Sequence, residues 1–594
     1  MSSLGAPGPL IDNQWSKLST FTQQILPRRS RPRPTRTLLI AVASFCLLLL
    51  WLLQSSGEPA INYWTQFPSL HPFRTSPEDA SILIPHNSTL TRNDTLPINL
   101  DKNSPSFHVV IPATQRTPPL CRLITSAMIL NYPPPTLINY AKSLPDGSTD
   151  YDAMVDKVTG IYNYLSASRH VHDQDFVLVL DETDFFFQLP PEVMIGRFQD
   201  LLRERNAKLR RKYGLVEMGS DASSETVQKY SQRVLFGASK TCDLSKLNMS
   251  LDPGCVTVPQ SAMPPDAYGW KTDIDSDVAL NRPRWLNPGV AMGQVADLKL
   301  VYGQVLQFVE KQKRIKNADH VALTQMYGRQ EYIRELERQR SSNGLMEWLY
   351  RQIGISDATN ITGAAVPYLK SGARYEYGIG VDSESRIFFD TTNSKRDMEW
   401  LHYNNITKTS LVQMEHGVPR EHRLLLPSDL TLPSPFYHPN LTKDEVTNPP
   451  YNDTLDALPN PKNRSWRNLP LLTYIPSASV PALIHLNGNR VARDELWLKM
   501  WYQPWARALL RKYMRTPLGF DVAQSALLGG QEWWDLRGGK GGIWTGQGEW
   551  MDYGEVCRGF ERDVFEDGFG GWGKEDGSED GPVYNQFGNV VKGG

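Results

Sequence analysis

The residues able to do chemistry gather at the ends of apolar runs. In LVLDETDFFFQLP (Leu178–Pro190) a continuous hydrophobic segment closes on Asp181, and Asp184 follows three residues later. Two carboxylates just past a buried strand suit a hard divalent cation, which takes oxygen ligands and keeps places for phosphate oxygens. The same spacing also fits a solvated strand end with an aspartate cap. In ALIHLNGN (Ala482–Asn489) a second apolar run closes on His485, with Asn487 and Gly488 behind it. A neutral imidazole there can complete an Asp/Asp/His set, or can be an ordinary turn residue. A third segment, RPRWLNPGVAMGQVADL (Arg282–Leu298), carries Asn287 and Gly289 in a tight turn. Gly289 and Gly293 permit close backbone approach, so this turn can line a cleft.

Other chemistries find no footing. None of the eleven histidines has an acid two residues on, so the His-x-Asp/Glu pair of an iron and 2-oxoglutarate site is missing. The one histidine cluster, RHVHDQD (Arg169–Asp175), reads as a polar loop ahead of the Asp181 strand. There is no HExxH and no GxSxG, and GGKGG (Gly538–Gly542) lacks the Ser/Thr and the spacing of a phosphate-binding loop. Net charge is −1, which implies no polyanionic partner. The basic run Arg203–Lys212 reads as the solvated face of an amphipathic helix, and no nucleic-acid partner is expected.

The elements around these residues alternate. FHVVIP (Phe107–Pro112) is strand-like, Leu120–Leu130 has helical spacing, and Pro135–Tyr140 is again strand-like. An amphipathic helix over 152–168 then precedes the strand DFVLVLD (Asp175–Asp181). This order implies βαβ units, a mostly parallel sheet and helices on its faces. Ligands of such sheets bind beyond the carboxyl ends of strands, where Asp181 falls. Further helices are expected over 298–313 and 318–340, a strand pair over 374–390 around a turn at Asp382–Glu384, and one Trp- and Arg-dense helix over 491–515. The Pro/Asn-rich stretch 430–470 reads as a surface insertion. No period marks the Gly- and Trp-rich tail. Lys157, on the helix before the Asp181 strand, can reach a phosphate or simply be solvated.

The address is lumenal. Thr37–Leu53 is seventeen residues without a charge, about 26 Å as a helix, enough for a thin bilayer. Arg28, Arg29, Arg31, Arg33 and Arg36 precede it, and QSSGEPA follows. The positive-inside rule then predicts a single-pass type II protein of the Golgi or endoplasmic reticulum membrane. A cleaved signal peptide is the rival reading, and it sends the rest of the chain to the same lumen. Eight glycosylation sequons, at Asn87, Asn93, Asn248, Asn360, Asn405, Asn440, Asn452 and Asn463, all lie beyond this segment. So do four of the five cysteines, enough for up to two disulfides. Cys242 and Cys255 are the closest pair; spacing does not dictate the pairing. The expected layout is a cytoplasmic tail (1–36), the membrane helix (37–53), a disordered Pro-rich stem (54–106), a folded α/β domain (107–515) and a C-terminal extension (516–594).

The ordered set of motifs resembles the glycosyltransferase domain of the procollagen lysyl hydroxylases. It resembles the procollagen galactosyltransferases more loosely, and uncharacterised fungal type II membrane glycosyltransferases more closely. LVLDETDFFFQLPPEVMIGRF is similar to that family's strand ending in Asp-x-x-Asp, and RWLNPGVAMG to its Leu-Asn-Ser-Gly segment. ADHVALTQMYGRQEY (Ala318–Tyr332) sits where the family has an Asp-Gln helix start. YEYGIGVDSESRIFF and IHLNGN are similar to its last strand pair and its His-x-Asn-Gly. The likeness spans residues 107–490.

It implies a GT-A-like nucleotide-sugar-binding domain that moves a hexose from a nucleoside-diphosphate sugar, a UDP-sugar foremost, to a hydroxyl of a glycoprotein or glycan. Asp181, Asp184 and His485 would hold Mn²⁺ or another divalent cation. Asn287, Gly289, Asp319, Asn487 and Gly488 would contact substrate. No residue is singled out as a base, so retention or inversion stays open. The chain departs from the family at Pro288, at His320, which replaces a glutamine, and at Ser239 and Lys240, where the family has an acid. These departures keep two alternatives in view: a non-catalytic lumenal scaffold on a decayed transferase fold, and a glycoside hydrolase.

Overall fold

A computed structural model describes residues 105–181, 183–218, 225–242, 252–313, 315–341, 367, 369–419, 423–437, 451–487, 490–515, 533, 535, 537–574, 583–584 and 590–592. The expected tail, membrane segment and nearly all of the stem lie outside these residues. So do Asn87, Asn93, Asn248, Asn360, Asn440 and Gly488. Among the described residues no helix is long and apolar enough to cross a membrane.

The fold is mixed α/β around a large, mostly parallel sheet. Strands β1 (Phe107–Pro112), β2 (Thr136–Ile138) and β3 (Phe176–Leu180) alternate with helices α1 (Pro118–Ile129) and α2 (Asp150–Ala167). After β3 come β4 (Phe185–Phe187), α3 (Pro191–Tyr213), a hairpin of β5 (Leu215–Met218) and β6 (Glu225–Gln228), β7 (Val234–Ser239), β8 (Ala267–Trp270) and β9 (Trp285–Gln294). Helices α4 (Val295–Lys311) and α5 (Ala318–Ser341) follow, then β10 (Ile379–Val381), β11 (Phe388–Asp390), β12 (Met398–Leu401), α6 (Ile406–Glu415), β13 (Leu471–Tyr474) and β14 (Leu483–His485). Helices α7 (Arg490–Lys499) and α8 (Ala506–Arg515) precede β15 (Gly542–Thr545) and β16 (Trp550–Asp552). The eight-stranded sheet runs β10-β7-β9-β3-β1-β2-β15-β16, and a three-stranded sheet runs β11-β14-β4.

The apolar run of β3 follows from its place in the middle of that sheet. Phe176, Leu178 and Leu180 enter one core cluster, and Val177 and Val179 enter the other. A strand covered on both faces has no solvent side and so shows no polar alternation. Helices α2 and α4 cover the second face through Val158, Ile161, Leu298 and Val301. The start of α2 is set by a capping box in which Thr149 and Asp152 satisfy each other's free backbone N–H groups.

Three local expectations come out differently. The two strands over 374–390 form around a turn as expected but do not pair with each other: β10 joins the large sheet and β11 the small one. The turn between them winds around the buried Asp382 carboxylate, which accepts backbone N–H groups of Arg386 (3.1 Å), Ile387 (2.7 Å) and Phe388 (3.0 Å). The helix over 491–515 is two helices, α7 and α8, joined by a 3₁₀ turn at Gln503–Trp505. Pro504 in that turn has no N–H to continue the ladder. The 430–470 stretch is not wholly superficial, because Phe436 and Trp466 are buried against Trp501.

The region after 515 contributes β15 and β16 to the large sheet, β15 pairing in parallel with β2. A disulfide between Cys121 and Cys557 ties it to α1, and Cys242 pairs with Cys255.

Candidate metal centre

Asp181 stands at the carboxyl end of β3. Its backbone N–H donates to Gly289 O at 2.8 Å, which joins the strand end to the β9 turn. One carboxylate oxygen accepts from Lys157 Nζ at 2.6 Å, and the other lies 2.9 Å from His320 Nε2. Lys157 rises from α2 and reaches Asp319 as well, at 2.7 Å. It is therefore a bridge between two acids rather than a solvated helix residue.

Burial opposes charge on all of these groups, and pairing overcomes it. Burial alone would raise the Asp181 pKa, but Lys157 and His320 hold its carboxyl well below the usual carboxylate range. Burial would likewise depress Lys157 and His320. Asp181 and Asp319 push both above their ordinary values instead.

Asp184 lies on the turn into β4. Its carbonyl accepts from Leu486 N at 2.8 Å, and its carboxylate is ion-paired with Arg493 of α7. Strands β4 and β14 pair antiparallel with Phe185 opposite His485. The two rings stack with centroids 4.3 Å apart and planes 11° from parallel. His485 is 6 % exposed, and neither ring nitrogen has a hydrogen-bond partner among the described residues. Leaving a buried polar atom unpaired costs about 1–3 kcal/mol, so this imidazole has a nitrogen to give. Gly289 lies against it: a β-carbon there would stand 2.8 Å from His485 Cε1. Backbone bonds thus join Asp181 to Gly289, and Asp184 to the residue after His485. Carboxylates with a neutral imidazole are a donor set that a divalent cation accepts.

Among the described residues, the acid and histidine atoms that converge within 4.8 Å of one another belong to Asp181, Asp319 and His320. Asp184 and His485 stand outside that group, and the Asp184 carboxylate is ion-paired with Arg493.

Asn287 positions the glycine turn. Its Oδ1 accepts Gly289 N–H at 2.9 Å, and its Nδ2 donates to Asp390 at 2.8 Å. Ser239 also donates to Asp390, at 2.9 Å. Pairing of β9 with β7 jumps from Ala291–Phe236 to Asn287–Gly237, so Pro288, Gly289 and Val290 bulge out on that side. Proline is tolerated in such a bulge because no ladder N–H is needed there. Lys240 points away, buried in an ion pair with Asp397. Asn487 is exposed.

Asp390 and Arg493 escaped the sequence reading. Asp390 ends the apolar run IFFD as Asp181 ends VLVLD, so the same strand-end acid was there to be read. Arg493 follows His485 by eight residues on a new helix, a spacing that carries no local signal. A cleft of about 570 Å³ opens beside Asp184, where Ala113, Thr114 and Gln115 follow β1 and meet Thr183, Leu486 and Arg493. Asn405, Asn452 and Asn463 are all exposed. Compared with known protein families and with curated proteins, the chain finds no match.

Proposed function

We propose that this chain is a metal-dependent glycosyltransferase that moves a hexose from a nucleoside-diphosphate sugar, a UDP-sugar foremost, to a hydroxyl of a glycoprotein or glycan. The observation that carries this reading is His485. It is buried, unpaired at both nitrogens, and backed by Gly289 beside two strand-end aspartates. Buried polar side-chain atoms usually have a partner, so this ring has a nitrogen to offer.

In this reading Asp181, Asp184 and His485 hold Mn²⁺ or a similar cation, which offsets the charge that grows on the diphosphate as the sugar leaves. The cleft beside Asp184 takes the donor. Its position beyond the carboxyl ends of β1 and β14 is the usual ligand position of such sheets. Asn287, fixed by Asp390, keeps the glycine turn open for close approach. Asp319, paired with Lys157, contacts the donor sugar or the acceptor. Thr37–Leu53 anchors the chain as a type II protein of the Golgi or endoplasmic reticulum, with the folded region in the lumen.

A second reading is favoured by one observation. Asp181 and Asp184 are already ion-paired, to Lys157 and Arg493. A lumenal scaffold on a decayed transferase fold would keep such pairs and need no ion.

Thermal denaturation with and without Mn²⁺, in the presence of UDP, GDP and their sugars, separates the two. The transferase reading expects a Mn²⁺-dependent rise in Tm that Asp181→Ala abolishes. A Tm indifferent to every nucleotide and metal favours the scaffold.

A further inference from the structure

Arg493 stands between the Asp184 carboxylate and the cleft. It reaches from the first turn of α7 to the Asp184 carboxylate, and it also lines the cleft. The neighbouring Asp494 is ion-paired with the buried Arg122 of α1, which holds the start of α7 in place. The Arg493 side chain is 27 % exposed, so it can swing away from Asp184 without moving its helix. The backbone of Asp184 is held, because its carbonyl accepts from Leu486 N and the next residue pairs with His485.

We propose that Arg493 is a built-in counter-ion that competes with the metal for Asp184. This rests on the metal reading given above. Arg493 engages one oxygen of the carboxylate, and a divalent ion bound to Asp184 repels the guanidinium and weakens the ion pair. The released guanidinium then lines the cleft without its partner, and an anion there restores the balance. A diphosphate is that anion: two of its oxygens can pair side by side with the planar fork of a guanidinium. Empty, the site binds metal weakly; with nucleotide, it binds metal well. Metal and nucleotide are coupled through one side chain, and by linkage each tightens the other equally. A lone Mn²⁺ pays the cost of displacing Arg493, whereas Mn²⁺ arriving with nucleotide does not.

The test uses the full-length chain and measures Mn²⁺ binding by electron paramagnetic resonance, first without nucleotide and then with UDP. Arg493→Gln removes the competitor, so Mn²⁺ alone should bind about fivefold tighter than in the parent, as expected for a partly exposed ion pair. UDP should tighten Mn²⁺ binding in the parent, and much less in Arg493→Gln. Arg493→Lys keeps a cation and should stay near the parent. Circular dichroism melts establish that the variants fold. Unchanged or weaker Mn²⁺ binding by a folded Arg493→Gln, with the parent binding normally, overturns the competition and leaves the metal reading intact. No Mn²⁺ binding by either protein overturns both.

Discussion

Gly289 lies so close to the imidazole of His485 that a β-carbon at position 289 would stand 2.8 Å from Cε1, with Asn287 Oδ1 at 3.1 Å on its other side. The ring cannot easily yield, because it is buried and stacked on Phe185. The glycine is therefore there for the histidine. Gly289→Ala should displace His485 and cost about 1–3 kcal/mol of stability, the usual range for overpacking. A larger loss is expected in any Mn²⁺-dependent rise of Tm with UDP. A variant with parental Tm and a parental metal response would show that the contact has no bearing on the site.

His485 itself gives the reverse signature. His485→Leu removes two unpaired buried nitrogens and keeps an apolar group against Phe185. Because an unsatisfied buried polar atom is destabilising, the variant should melt no lower than the parent in the absence of metal. Its response to Mn²⁺ should vanish. A sharp fall in Tm would mean that the imidazole is structural.

Asp390 gathers the turn from beneath. It accepts from Asn287 Nδ2, Ser239 Oγ and Thr392 N–H. Asp390→Ala leaves these donors without an acceptor, at about 1–3 kcal/mol. Asp390→Asn keeps the volume, but its amide faces the Asn287 amide with a donor. Denaturant titration should rank the parent above Asp390→Asn, and that above Asp390→Ala. Nucleotide-dependent stabilisation should fall in both, because Asn287 holds Gly289.

A second charged cluster lies away from the site and predicts a pH dependence of stability. Buried His108 is 3.2 Å from Asp175 and 3.5 Å from Asp535, with Tyr164 and Arg537 facing the same group. Burial disfavours the charged ring, but hydrogen bonds to Asp175 and Asp535 outweigh it and raise the pKa above 6.5. A raised histidine stabilises fully below its unfolded value and loses that contribution as pH rises through the folded one. Burial also opposes charge on Asp175 and Asp535, yet His108 leads in holding both below 3.8. Their contribution is present above that value and lost as pH falls through the folded pKa. His170, lowered by partial desolvation and by Arg537, has the opposite slope to His108. The difference in Tm between the parent and His108→Gln isolates the one residue, and should shrink as pH rises above 6.5. A constant difference would mean that the ring is neutral throughout.

The Cys121–Cys557 bridge spans 436 residues of sequence. Its loss should cost about 2–5 kcal/mol, as for native disulfides of secreted domains. Cys557→Ser should loosen the β15–β16 edge before the rest of the sheet, read by hydrogen exchange at Ile543 and Trp544. Uniform exchange across the sheet would argue that the bridge is incidental.

Much of this molecule is legible in local sequence. The alternation of β1, α1, β2, α2 and β3 follows from apolar periods and turn residues over short windows, and it carries Asp181 to a strand end. The same logic put His485 at the end of β14. What local pattern cannot say is which distant groups meet. Asp184 and Arg493 lie 309 residues apart, and no period links them. Lys157 bridges Asp181 and Asp319 only because α2 and α5 pack on the same face of the sheet. The tail after 515 has no period because its strands are very short, four and three residues, and cling to an existing edge. Strand ends and their acids belong to the sequence, since burial of a strand on both faces forces a run of apolar residues with a polar stop. The partner of each charge was decided by the tertiary fold, because ion pairs depend on distance in space and leave no mark along the chain.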